Sequence, residues 1–254
     1  MTSQVLNKPF FDRVAFVTGG TRGIGRAVTL ALAQLGASLA VSYLENEEEA
    51  SELEHDLHAL DVKHLVVKAD VRDFEEMKRT MERVEQRLGK IHFLINNAGI
   101  ARDRSFKKME ESSWHEVIAT NLTGVFNSTK AAMNHMLLNQ DARVIMISSI
   151  VGEMGNFGQV NYSAAKAGLL GLTKSLAREL ALYRTTVNAI APGFTDTLMY
   201  RALSPEIQSQ IIQNIPLKRV AQPEEIAHVA TFLCSPMAGF ITGAVMDVNG
   251  GMYM

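Results

Sequence analysis

Short runs of β-branched and other apolar residues recur along the chain, each followed by a longer stretch in which apolar positions return every three or four residues. Seven such runs read as strands, at 13–18, 38–43, 64–67, 91–96, 143–148, 186–190 and 244–248. They are apolar on both faces, and helical patterns separate them. The pattern therefore predicts an α/β fold: a doubly wound, parallel, seven-stranded sheet with helices on both faces. One segment breaks the rhythm. Between Pro192 and Pro216, after the sixth strand, come polar residues and a weakly amphipathic piece. Ligands of such sheets bind outside the carboxyl ends of the strands, where this segment starts, so a substrate lid is expected at about 194–216, with an ordinary long connection as the alternative.

A chain of 254 residues that is 47% hydrophobic can bury a core as a single domain spanning 1–254, and no repeat or low-complexity linker divides it. A formal net charge of -2 gives no electrostatic reason to expect nucleic acid or an anionic membrane as partner, which leaves a small molecule as substrate. No apolar run approaches the roughly 20 residues that span a bilayer. Residues 1–11 lack the basic start and apolar run of a signal peptide, and the lone Cys234 has no partner for an internal disulfide, so a cytoplasmic location is expected. No metal is expected.

Just after the first strand the chain reads Thr18-Gly19-Gly20-Thr21-Arg22-Gly23-Ile24-Gly25, and an apolar helix pattern follows at once. Glycines there permit a tight turn with positive φ and let backbone amides approach a pyrophosphate at the positive end of the helix dipole. Their spacing, at 19, 23 and 25, is not the common G-x-G-x-x-G fingerprint, so the loop alone is weak evidence. At the end of the second strand, where NAD enzymes usually carry an acid for the ribose 2'-hydroxyl, stands Tyr43, while the cationic Arg22 lies in the glycine loop. This favours NADP(H). An acid reaching in from Glu45 would reverse the choice, although the run Glu47 to Glu49 reads more simply as a solvated helix start. Asp70 and Val71, after the third strand, could edge the adenine, and a simple strand-end turn explains Asp70 equally well.

After the fifth strand come Ser148 and Ser149, a loop with Gly152, Gly155 and Gly158, and a helix carrying Tyr162 and Lys166. Their i,i+4 spacing puts both side chains on one helical face. A free tyrosine titrates near pH 10, and a nearby ammonium would stabilise the phenolate and bring it toward the range useful for proton exchange. Alone, this pair is unspecific.

Together with Asn96-Asn97-Ala98-Gly99, Asn121 in Thr120-Asn121-Leu122-Thr123-Gly124, Tyr162-Ser163-Ala164-Ala165-Lys166 and Pro192-Gly193, all in one order, the chain resembles the short-chain dehydrogenase/reductase family along nearly its whole length. The resemblance implies a tetrad: Tyr162 as general acid, Ser149 bonding the substrate carbonyl, Lys166 orienting the ribose and lowering the tyrosine pKa, and Asn121 holding a proton-supplying water. Ser148 could replace Ser149 in a shifted register. The cofactor would be lined by Gly19, Thr21, Arg22, Gly23, Ile24, Gly25, Tyr43, Asp70, Val71, Asn97, Ala98, Gly99, Tyr162, Lys166, Pro192, Gly193, Thr195 and Thr197, with Asn97 and Gly99 on the adenine side and Thr197 at the nicotinamide carboxamide.

Within the family the chain is most similar to the reductases of 3-oxoacyl thioesters carried on acyl carrier protein or on coenzyme A, as in acetoacetyl-CoA. Carrier-protein enzymes tend to present arginines at two helix ends, and here the comparable places are Gln140 and Tyr183, with Arg184 adjacent. Lys107 and Lys108 could receive phosphates of coenzyme A or acids of a carrier. Leu198 departs from the usual lid sequence, beside Asp196. Family resemblance also implies a homotetramer built through the helices at 111–139 and 159–183 and through the last strand. The alternatives are a dehydrogenase of another secondary alcohol, such as a sugar or steroid, and a catalytically silent NADP-binding regulator.

Overall fold

The computed structural model describes residues 8–136 and 141–254. All seven expected strands form: β1 (Val14–Thr18), β2 (Ser38–Tyr43), β3 (His64–Lys68), β4 (Phe93–Asn96), β5 (Arg143–Ile147), β6 (Thr186–Pro192) and β7 (Val245–Val248). They make one parallel sheet in the order β3-β2-β1-β4-β5-β6-β7. The chain winds outward from β1 to β3 and then returns to β4 on the other side of β1. That reversal opens a crevice at the carboxyl ends of β1 and β4. β6 runs two residues beyond its sequence pattern because Ala191 and Pro192 pair with Asp247 and Val248 of the edge strand.

The helices are α1 (Gly23–Gln34), α2 (Glu47–Ala59), α3 (Phe74–Leu88), α4 (Glu111–Ile118), α5 (Gly124–Met136), α6 (Val151–Met154), α7 (Val160–Leu180), α8 (Leu198–Arg201), α9 (Pro205–Asn214) and α10 (Pro223–Cys234). Alternation along the strands sends Ala15, Val17, Ile145 and Ile147 to one face, against Leu32 and Ala33 of α1 and Ile226 and Ala230 of α10. Val14, Phe16, Val144 and Met146 go to the other, against Met77 and Met81 of α3, Val125 of α5 and Leu169 of α7. Side-chain caps fix several helix starts: Asn46 accepts from the amide of Glu49 and Asp73 from that of Glu76.

The stretch expected as one helix at 111–139 is instead α4 and α5 joined by a π-helical turn, Ala119–Thr123, and its residues 137–139 lie outside the described residues. The wider turn lets Val117 of α4 and Asn127, Ser128 and Thr129 of α5 all be buried. The glycine-containing stretch after β5, expected as loop, folds partly into α6, while the lid segment contains α8 and α9. Among the described residues no helix is long and apolar enough to cross a membrane.

Candidate active site

The buried hydroxyl of Thr18 accepts from the amides of Asn97 and Ala98, both at 3.0 Å, and Asn97 Nδ2 donates to the carbonyls of Thr18 at 3.1 Å and Gly19 at 2.8 Å. These bonds lock the end of β1 to the end of β4. Gly19 and Gly23 take φ values of +61° and +51°, which a side chain would strain. A Cβ on Gly25 would stand 2.3 Å from the Gly19 carbonyl oxygen and 2.4 Å from Asn97 Nδ2, so only glycine fits. A Cβ on Gly20 would lie 2.7 Å from Val41 Cγ1 and 2.8 Å from Thr29 Oγ1, a tight packing that the sequence pattern alone did not single out. Above this turn α1 begins with neither a side-chain cap nor an acid in its first turn, leaving first-turn amides and the positive dipole end facing the crevice. Thr21 is buried, Ile24 half-buried and Arg22 exposed.

Beside the turn, Tyr43 ends β2 half-buried, next to the exposed Glu45. Lys68, its register partner on β3, is a cation that the sequence reading passed over, and its Nζ reaches Glu47 at 3.1 Å. Asp70 is gripped by Arg72, whose Nε and Nη2 donate to Oδ2 at 2.8 and 2.6 Å, and this holds its carboxyl below the usual range. Val71 lies against Gly124, where a Cβ would come within 2.6 Å of Val71 Cγ2.

Tyr162 and Lys166 occupy the first two turns of α7, as their spacing predicts. Asn161 anchors that start: its Oδ1 accepts from the Tyr162 amide at 2.8 Å, while its Nδ2 donates to the carbonyls of Arg102 and Ser113, both at 3.2 Å. Ser149 hydrogen-bonds the Tyr162 phenol. Ser148 turns away, donating to the Lys166 carbonyl at 2.9 Å. Lys166 is buried, with Nζ donating to the Ile147 carbonyl at 2.7 Å and lying 5.6 Å from the centroid of the Tyr162 ring. Asn121, wholly buried in the π turn, exchanges two hydrogen bonds with the backbone of Ile100, at 2.8 and 2.9 Å. A Cβ on Gly99 would lie 3.3 Å from Asn121 Oδ1 and 3.6 Å from Lys166 Nζ, which places Gly99 in this cluster.

The electrostatics differ from the simple expectation. Burial, reinforced by the charge of Asp103, pushes the Tyr162 phenol up to about 12 despite its bond to Ser149. Burial likewise pulls Lys166 down to about 8. An amine at about 8 still carries its proton at neutral pH, so Lys166 can supply the positive charge a phenolate would need. The causes that set the phenol are burial, Ser149 and Asp103, and the lowering by Lys166 expected from their spacing is not among them.

The rim is built from the loop after β4 and the loop before α7. Gln159 Nε2 donates to Asp103 Oδ2 at 2.9 Å, and the Arg104 amide donates to the Gly158 carbonyl at 2.8 Å. Phe106 and Phe157 stand 76% and 88% exposed there, and Lys107 and Lys108 are exposed beside them. Opposite, Pro192 ends β6 and Gly193 packs so closely on Asn249 that a Cβ would lie 2.8 Å from its Cα. Thr195 is buried and donates to the Gly193 carbonyl at 3.2 Å. Thr197 reaches over the glycine turn, its Cγ2 3.3 Å from where a Gly23 side chain would begin. Asp196 is bound by Arg201, and Leu198 is exposed at the start of α8. Tyr183 and Arg184 are exposed after α7, whereas Gln140 lies outside the described residues. Among the described residues no cluster of histidine, cysteine or acidic side chains could hold a metal ion.

Comparison with known proteins supports the family and the fold. A family model described as enoyl-(acyl carrier protein) reductase matches residues 19–253. The chain is 46% identical over 240 residues to a 3-oxoacyl-(acyl-carrier-protein) reductase of Staphylococcus aureus strain N315, covering 94% of this chain and 98% of that one. It is 48% identical over 243 residues to an acetoacetyl-CoA reductase of Rhizobium meliloti strain 1021, covering 95% and 99%. A solved short-chain dehydrogenase/reductase from Serratia marcescens BCRC 10948 superposes with a TM-score of 0.92 at 33% identity, covering 96% of this chain and 99% of its own.

Proposed function

The chain belongs to the short-chain dehydrogenase/reductase family, oxidoreductases that use a nicotinamide cofactor, and on that premise we propose that it reduces a 3-oxoacyl thioester to the 3-hydroxyacyl thioester with NADPH. The observation that carries the reading is the meeting of Tyr162, Ser149 and Lys166 at one point of the crevice, under a rim that exposes Phe106 and Phe157. The names of the whole-length relatives supply the substrate class.

The residues present fit the cofactor. Gly19, Gly23 and Gly25 form a cradle that a Cβ would fill, and the uncapped start of α1 suits a pyrophosphate. Asn97, Ala98 and Gly99 would hold the opposite wall, Asp70 and Val71 would edge the adenine, and Pro192, Gly193, Thr195 and Thr197 would hold the nicotinamide end. NADP is favoured because Arg22 is exposed with no carboxylate partner among the described residues and Tyr43 takes the place of an acid at the end of β2. Lys68 and Glu47 are spent on each other, and the exposed Glu45 is the acid whose reach would reverse the choice. When bound, the cofactor supplies hydride to the carbonyl carbon. Tyr162 then gives its proton to the carbonyl oxygen, Ser149 donates a hydrogen bond to the same oxygen, and Lys166 orients the ribose and sustains the positive charge the phenolate needs. Asn121, fixed by its two bonds to Ile100, would hold a water that returns a proton to Lys166.

The exposed Lys107 and Lys108 would meet the phosphates of coenzyme A or the acids of a carrier protein. The protein acts in the cytoplasm as a single domain, assembled as a homotetramer. The exposed Phe126 on α5, together with Ala164, Ala167 and Gly171 on α7, suits helix-to-helix contact between copies. The test is the initial rate of NADPH and NADH oxidation with acetoacetyl-CoA and with the same acyl group on a carrier protein. NADPH-dependent turnover of either thioester supports the reading, and their ratio assigns the carrier. No turnover of either, in a preparation that binds NADPH, overturns it.

A further inference from the structure

At the amino ends of β5 and β6, the end of the sheet away from the catalytic crevice, a cation is buried without a counter-ion. Arg143 opens β5 and is 4% exposed. Alternation along the strand sends its side chain to the side of Ile145 and Ile147, the face covered by α10. A guanidinium has five N–H donors, yet among the described residues this one makes a single hydrogen bond, from Nη1 to the Ala142 carbonyl at 3.0 Å. Its Nε is sealed from solvent with no partner. Asp141 lies two positions away but is exposed, and no carboxylate among the described residues comes within ion-pairing distance of Arg143.

The surroundings hold one other group in the same state. In the sheet Arg143 stands between Phe93 of β4 and Thr186 of β6. Phe93 offers no polar side-chain atom. Thr186, 5% exposed, shares the face of Asn188 and Ile190, and its Oγ1 is likewise buried and unbonded. Over the pair lie the end of α10 and the turn Pro236–Ala238, where a Cβ on Gly239 would stand 3.9 Å from Arg143 Nη2. Nothing there neutralises the charge. Burial pushes the neighbouring Cys234 thiol up to about 12, so it carries no charge at neutral pH. The Phe232 carbonyl near the helix end is already taken by the amide and Oγ of Ser235, at 2.9 and 2.7 Å.

We propose that Arg143 and Thr186 form a binding site for one monovalent inorganic anion of the chloride class, which joins the starts of β5 and β6. A buried charge is costly unless it is both paired and hydrogen-bonded. A water between these groups would satisfy Nε and Oγ1 but leave the guanidinium unneutralised. A single negative ion does both, with Nε and the Thr186 hydroxyl donating to it. A multiply charged oxyanion would bring in more charge than one guanidinium balances. The site stands apart from Tyr162 and Lys166, so it is independent of which carbonyl compound the enzyme reduces.

The test is thermal unfolding of the full chain as sodium chloride replaces sodium gluconate, whose anion is too large for the site, at constant ionic strength. It compares wild type with Arg143→Met, which keeps the aliphatic stem and removes the charge, and with Thr186→Val, which keeps the shape and removes the hydroxyl. The wild-type melting temperature is expected to rise with chloride, the unfolding constant falling about tenfold once chloride stands at about ten times its dissociation constant. R143M should lose this dependence and T186V should show a weaker one. Crystals soaked in sodium bromide should give an anomalous peak between Arg143 and Thr186. Equal chloride dependence in wild type and R143M overturns the proposal, and so does a site that holds only water in bromide. If R143M does not fold, T186V decides, and a dependence unchanged from wild type overturns it.

Discussion

The glycine turn after β1 and the first turns of α7 meet in the same crevice, yet one works by leaving atoms out and the other by placing them. At the turn, backbone and side chains crowd to 2.3–2.8 Å of every position that a Gly20 or Gly25 Cβ would occupy. At the helix, Tyr162 and Lys166 are held by bonds to Ser149 and Ile147, and burial displaces both from their ordinary protonation ranges. The first region resists substitution sterically and the second chemically, so damage to the two should be separable.

Tyr162→Phe sharpens that contrast most: kcat is expected to fall by about 10³-fold or more, with NADPH affinity and melting temperature near wild type, read by single-turnover kinetics and calorimetry. Comparable turnover in the variant would remove Tyr162 as the acid. Gly25→Ala should do the reverse. Its added methyl meets backbone, so a loss of about 1–3 kcal/mol in stability and a weakened nucleotide affinity are expected from denaturant titration and fluorescence binding. Asn161→Ala tests whether α7 is positioned from its own start. Removing an acceptor for the Tyr162 amide and a donor to Arg102 and Ser113 should cost about 1–2 kcal/mol and lower kcat with little change in KM.

The smallest effect lies outside both regions. Glu153 on α6 is pushed up to about 7, first by burial and then by Asp247 of β7, with Lys174 opposing. Its folded-state value lies above the ordinary 4.5, so the folded chain holds the extra proton between those values. The associated stability is complete below the ordinary value and is lost as pH rises through 7. Glu153→Gln should flatten the fall in melting temperature between pH 5 and pH 8, and an unchanged slope would show that another group titrates there.

Much of this was legible in the residues. Strands two-sided in their hydrophobicity announce a covered parallel sheet, and a glycine cluster between strand and helix announces a turn, because both signals are local. What escaped depends on partners far along the chain. Gly20 is constrained by Val41, and Asn161 bonds Arg102 and Ser113 across 59 and 48 positions. Lys166 answers to a carbonyl 19 residues earlier. The pairing of Tyr162 with Lys166 was readable from spacing, but the direction of the tyrosine shift was not, since it is set by desolvation in the folded surroundings, against the bond to Ser149.

The π turn at Ala119–Thr123 carries one residue more than a regular helix would need, and this makes it an indexing device. Each residue advances a helix by about 100°, and the wide turn absorbs the extra one, so α4 and α5 keep the faces they would have in one regular helix. Asn127 thereby meets the carbonyls of Val71 and Arg72, and Ser128 and Thr129 meet Asn96. A single-codon deletion inside the turn would regularise it and leave those partners in phase, whereas the same deletion at the start of α5 is a phase error that no neighbouring side chain can correct.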